Sequence, residues 1–139
     1  MKRDNEFFDR LDSGADSSAI GKTLGWELAG VKPDEGTIEI AYTAGEAFLN
    51  PFGLVQGGIL GSMLDDTLGS VMISVLERGQ IAPTTDLHVQ FLRPARPGRF
   101  TGRGRIVRRG KTIAFLSGEL ADADGRVVAT ATATAAITG

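Results

Sequence analysis

Two adjacent carboxylates in an otherwise apolar run are the first residues of this sequence equipped for chemistry. Asp65 and Asp66 stand in the middle of the stretch Asn50 to Gly79, most of which, from about Gly57 to Arg78, reads as one helix. A carboxylate on such a helix is costly unless it is paired or used. The same helix carries Gly57, Gly58, Gly61 and Gly69, each about 1 kcal/mol worse than alanine in a helix interior. Residues four apart share a helix face, so Gly57, Gly61, Asp65 and Gly69 form one row and Gly58, Ser62, Asp66 and Ser70 the row beside it. Asp65 thus has no bulky neighbour one turn above or below, and a substrate can come close to it. The Gly-Gly start leaves backbone N–H groups open at the helix N-terminus, where developing negative charge is favoured. A carbonyl oxygen becoming an oxyanion would be stabilised there. The carboxylate lies two turns on, roughly 12 Å along the axis. One copy cannot easily place both groups on one carbon, whereas two antiparallel copies can. A homodimer with two composite sites follows as the expectation. Asp66 is expected to be the more exposed, or the structural, member of the pair.

The elements around this helix follow from patterning. Phe7, Phe8 and Leu11 have helical spacing, with Ser13-Gly14 as the stop, so residues 1–20 read as an N-terminal helical extension. Leu24, Trp26 and Leu28 alternate, as do Ile38, Ile40 and Tyr42, with Lys32 to Gly36 as the turn of a first hairpin. Residues 43–56 read as irregular. After the helix come four strand runs: Leu87, Val89 and Phe91; Phe100 to Val107; Ile113 to Leu120; and the Thr/Ala alternation of Val127 to Ile137. Strands segregated from helices argue for an α+β domain with an antiparallel sheet, and a helix apolar on most sides must be largely enclosed. One sheet wrapped around one long central helix, in a single domain spanning 1–139, satisfies both.

Composition narrows the function classes. The sequence has 139 residues, a net charge near −2, no cysteine and one histidine. Thiolate chemistry, disulfides and zinc sites of Cys/His or multi-His type are excluded; no carboxylates show a metal-ligand spacing, so neither metal nor cofactor is expected. A nucleic-acid partner is disfavoured by the charge balance. The opening MKRDNEFFDR has no apolar signal core, and the Asp pair argues against a membrane span; the default expectation is a cytoplasmic protein. His88, on the polar face of a strand, reads as a surface or interface residue, and no G-x-S-x-G elbow exists for it to serve. Eight of the fifteen Lys and Arg residues fall between Arg93 and Lys111.

Asn50-x-x-Gly53-x-x-Gln56-Gly57-Gly58, followed by Asp65, resembles the N-x-x-G-x-x-H-G-G…D motif of hotdog-fold acyl-CoA thioesterases of the phenylacetate-degradation (PaaI-like) group. Thr84 to Ala95 and Ile106 to Lys111 are similar to that family's third strand and fourth-strand turn, and the likeness runs from about residue 20 to 137. It implies a hotdog fold, assembly as dimers and commonly tetramers, and hydrolysis of an acyl- or aryl-CoA thioester to acid and free coenzyme A, the coenzyme being part of the substrate. By position, the Gly57 N–H would polarise the thioester carbonyl and Asn50 would position thioester or water. Asp65 of the partner subunit would act as general base or nucleophile. Thr84 would orient the water, with Thr85 one position along as the other hydroxyl. Gln56 stands where the family has histidine; it donates a hydrogen bond but carries no proton at neutral pH. Coenzyme A is rich in phosphate, for which arginine is suited, and Arg108, Arg109 and Lys111, then Arg93, are the expected contacts. The acyl pocket is expected from Phe48, Leu49, Phe52, Leu54 and Gly58 with Met63 and Leu68 of the helix. Two rival readings are a hotdog protein that binds acyl-CoA without hydrolysis, which Gln56 favours, and a hydratase or dehydratase, whose chemistry pairs Asp with a helix histidine absent here.

Overall fold

In the computed structural model, residues 3–13 and 18–139 are described. The chain forms α1 (Glu6–Ser13), α2 (Ala19–Leu24), β1 (Glu27–Lys32), β2 (Thr37–Ala44), α3 (Gly57–Val75), β3 (Thr84–Phe91), β4 (Gly98–Arg109), β5 (Ile113–Ala121) and β6 (Val127–Ala136). The six strands make one antiparallel sheet in the order β1-β2-β4-β5-β6-β3, curled around α3. This is the hotdog arrangement. Both β1 and β3 are edge strands.

Alternation decides which side of each strand meets the helix. Ile38, Ile40 and Tyr42 of β2, Phe100 of β4, Leu116 and Leu120 of β5 and the alanines of β6 face inward, against Met63, Leu64, Leu68, Val71 and Met72 of α3. The Thr/Ala run of β6 pairs with both β5 and β3, its alanines buried and its threonines on the outer face. Small inward residues let the helix sit close. Closest approach is at Gly102, Gly104 and Gly118: a Cβ on Gly102 would run into the Thr67 hydroxyl, and one on Gly104 or Gly118 would lie 3.1 or 3.0 Å from Leu68. These strand glycines form a notch for α3.

Three expectations change. Leu24 belongs to α2, not to a strand run with Trp26 and Leu28: the Ser18 side chain caps the helix by accepting from Gly21 N–H, and Gly25 ends it at φ 69°. The long helix stops at Val75 rather than Arg78, with Leu76 already extended. The 43–56 stretch is not wholly irregular, since β2 runs to Ala44 and a short 3-10 turn spans Glu46–Phe48. The amphipathic N-terminal helix is present as α1; its expected stop at Gly14 lies outside the described residues.

The ends of α1 and α3 are joined by Asn5, which is 1% exposed. Its Oδ1 accepts from Phe8 N–H at 3.2 Å, capping α1, while its Nδ2 donates to the carbonyls of Ser74 and Leu76, each at 3.0 Å. One side chain thus satisfies a helix start and a helix end together. Arg78 adds ion pairs to Asp4 and Asp9 from outside.

Candidate active site on the central helix

The exposed side of α3 is its glycine row. Asp65 is exposed there, and the Thr84 hydroxyl donates to its Oδ1 at 2.9 Å. Thr84 opens β3, which runs beside the helix: Val89 lies 3.9 Å from where a Gly61 Cβ would be, and the Phe91 ring 3.1 Å from where a Gly57 Cβ would be. Gly57 is therefore fixed by the aromatic packed on it as well as by helix entry. Thr85 faces the other way, donating to the Thr134 carbonyl; of the two hydroxyls, Thr84 is the one at Asp65.

At the helix start Gln56 occupies the N-cap, exposed, and its side chain makes no cap bond. Its carbonyl accepts from Ile59 and Leu60 N–H. The N–H groups of Gly57 and Gly58 have no acceptor among the described residues, so two oriented donors are open at the positive end of the helix dipole. Asn50 shapes the approach: its Oδ1 accepts from Phe52 and Leu54 N–H at 2.9 and 3.2 Å, closing the 50–54 turn. The carboxamide oxygen is thereby committed to the loop, which leaves only its N–H₂ for a ligand.

Asp66 points elsewhere. It is half-buried while Asp65 is the exposed member, which reverses the expected exposure and keeps the expected structural role. Its Oδ2 lies 2.6 Å from the Tyr42 hydroxyl, which donates to it when it is ionised; Tyr42 is 2.8 Å from Thr67 Oγ1, and Thr67 reaches the Met63 carbonyl at 2.8 Å. Three contacts share two hydroxyl protons. All three are satisfied when Asp66 is protonated, donating to Tyr42, which donates to Thr67, which donates to Met63. Burial pushes the Asp66 pKa up, opposed by the Tyr42 bond, reinforced by the Asp65 charge and opposed by the Trp26 bond. Tyr42 is likewise raised, by burial first and then by Asp66. The sequence signal for this network is an inward Tyr at the end of the Ile38, Ile40, Tyr42 alternation.

Asp66 also borders a cavity of about 560 Å³ between α1, α2, the Gly69–Ile73 side of α3 and residues 79–83. The expected acyl-pocket residues do not line it. Met63 and Leu68 are fully buried on the sheet side of α3, because the helix meets the β4–β5 notch there, and they leave the pocket set. Phe52 is 85% exposed at a loop tip, whereas Leu54, Phe48 and Leu49 are half-buried near the helix start. Gly58 is exposed on α3.

The basic cluster divides. Arg109 is not a free turn residue: it donates to the Val75 carbonyl at 3.0 Å and to Gln80, capping the C-terminus of α3. Arg99 and Arg103 pair with Glu27 and Glu39. Arg93, Arg108 and Lys111 are exposed without an ion-pair partner among the described residues. Arg93 lies near the start of α3, where Ala95 accepts from Val55 N–H, and the β4–β5 turn lies at its far end. His88 is on the outer sheet face with Arg105 and Thr132, away from Asp65. Among the described residues no group of His, Asp and Glu side chains could hold a metal ion.

Comparison with known proteins gives the family and the fold. Residues 52–129 match the family model described as the Thioesterase superfamily. A candidate esterase of Saccharolobus solfataricus is 30% identical over 131 residues, covering 94% of this chain and 87% of that protein. The medium/long-chain acyl-CoA thioesterase YigI of Salmonella typhimurium is 34% identical over 94 residues, covering 58% of this chain and 61% of its own length. The crystal structure of a phenylacetic acid degradation-related protein from Ralstonia eutropha JMP134 superposes with a TM-score of 0.88 at 43% identity, covering 94% and 99% of the two chains. The Escherichia coli PaaI protein superposes at 0.83 with 22% identity, covering 95% and 93%, and is similar in fold.

Proposed function

The chain belongs to the Thioesterase superfamily, and from that membership we propose that it is an acyl-CoA thioesterase working as a homodimer with two composite sites. The observation that carries the reading is the pair Asp65–Thr84 on the one bare face of α3, with the open amides of Gly57 and Gly58 two turns away on the same helix. Asp65 takes a proton from a water that Thr84 helps to hold. The water attacks the thioester carbon, and the oxygen, now negative, is held by the Gly57 N–H of the partner subunit. Collapse of the tetrahedral species breaks the C–S bond, the departing sulfur takes the proton held by Asp65, and acid and thiol are released with the carboxylate restored. Direct attack by the Asp65 carboxylate, giving an anhydride that water then opens, uses the same groups.

The dimer rests on three features that share one side of the molecule. Edge strand β3 bonds only to β6 among the described residues, the glycine row lies beside it, and Phe91 and Leu92 are 55% and 54% exposed. Gln56 and Asn50, through its free N–H₂, would position the thioester. Arg93, Arg108 and Lys111 would meet the coenzyme phosphates. Arg109, committed to α3, is withdrawn from that set.

The test is thiol release from a panel of acyl-CoA esters by wild type and Asp65→Ala. Loss of a positioned acid–base group costs about 10²–10⁴-fold, and the variant should keep its fold and dimer in sedimentation. Turnover retained in Asp65→Ala would sink the assignment. Binding of acyl-CoA by wild type without any thiol release would select the non-hydrolytic binding protein instead.

A further inference from the structure

We infer that the cavity beside Asp65, walled on one side by α1, receives the acyl group, so that the N-terminal segment of this chain sets acyl selectivity. This deepens the reading above and rests on it. The cavity lies next to the proposed catalytic pair: Asp66 and Pro83, the sequence neighbours of Asp65 and Thr84, border it, and Gly69, one turn beyond Asp65, forms part of its wall. Nothing lies within 4 Å of where a Gly69 Cβ would be, so no side chain fills the space over Gly69, between Asp65 and the rest of the cavity wall.

The direction of the acyl group follows from the reaction. The carbon attacked by the Asp65-bound water carries sulfur on one side and the acyl substituent on the other. Coenzyme A leads away toward exposed arginines. The acyl substituent leads along α3 past Gly69, into about 560 Å³ walled by Phe7, Leu11, Trp26 and Ile73, a volume in the range of small-ligand sites. Such a lining suits an uncharged, mainly apolar acyl group. Phe7, Leu11 and Trp26 precede residue 52, where the family match starts, so this wall lies in the N-terminal part of the chain. Asn5 and the Arg78 ion pairs hold α1 in place against α3.

Trp26, the only tryptophan, reports occupancy without turnover. In Asp65→Ala, octanoyl-CoA should shift Trp26 emission, whereas acetyl-CoA and free coenzyme A should leave it unmoved. Ser70→Leu, which fills the cavity from the α3 side, should abolish the shift. It should also lower the octanoyl-to-acetyl ratio of kcat/KM by at least about tenfold. Leu11→Ala, which enlarges it from the α1 side, should raise the dodecanoyl-to-octanoyl ratio severalfold. Octanoyl-CoA hydrolysed with Trp26 silent, or ratios unchanged in both variants, would overturn the pocket and leave the thioesterase reading intact. A Trp26 shift with no hydrolysis of any ester by wild type would uphold the pocket and end the thioesterase reading.

Discussion

Asp65 and Asp66 differ by one position and about 100° around the helix, and that rotation separates their chemistry. Asp65 faces the bare side with one hydroxyl donor; Asp66 faces the sheet and the cavity, where burial favours its protonated form. A raised folded-state pKa means that the folded protein holds this proton more tightly than the unfolded chain. The resulting stability is fully present below the unfolded value, about 3.9, and is lost as pH rises through the folded one. Asparagine mimics the protonated carboxyl, donating to Tyr42 and accepting from Trp26. Thermal melts of wild type and Asp66→Asn should therefore nearly coincide near pH 4, with the variant gaining relative stability toward pH 7. Wild type gaining on the variant with rising pH would contradict a carboxyl that prefers its proton. At Gln56, whose side chain makes no helix-cap bond, Gln56→His should keep or raise kcat/KM; a large loss would show that the position does more than donate to a carbonyl.

The sheet and the helix are matched through glycines that helix and strand propensity both disfavour. Gly102→Ala should cost about 1–3 kcal/mol in chemical denaturation, as overpacking does, because the added methyl meets the Thr67 hydroxyl, itself held by Tyr42 and Met63. An unchanged midpoint would mean that α3 can lift away from β4. The hotdog architecture was legible because the strands alternate cleanly and the one long apolar segment had to be enclosed. Asp65 and the glycine row were legible from helical spacing. Thr84 does stand at Asp65, but it and Asn50 were legible only through the resemblance to a known family. The roles of Arg109, Asn5 and Tyr42 were not, since each depends on a partner more than twenty positions away. Nor was the orientation of Met63 and Leu68: on a helix apolar nearly all round, periodicity does not say which side meets the sheet and which meets a ligand. The strand glycines of β4, alternating with Arg103 and Arg105, did carry a readable sign of close helix approach.

At the scale of the molecule, the proposed site and a sheet edge unpaired among the described residues lie on the same side. The proposed dimer joins β3 to its symmetry mate and sets each Asp65 toward the other copy's Gly57. Val89→Pro would put a residue without an N–H into β3; it also packs by Gly61. A gentler probe is Leu92→Glu, which sets a charge on an exposed apolar residue at this edge. Leu92→Glu should shift sedimentation toward the monomer and lower turnover in proportion to the dimer lost. A fully active monomer would remove the composite site. One further consequence belongs to Asn5. Because this single carboxamide closes the start of α1 and the last turn of α3 at once, neither can fray alone. Amides at the two places, linked by bonds spanning 69 and 71 positions of sequence, belong to one cooperative opening unit and exchange with solvent together.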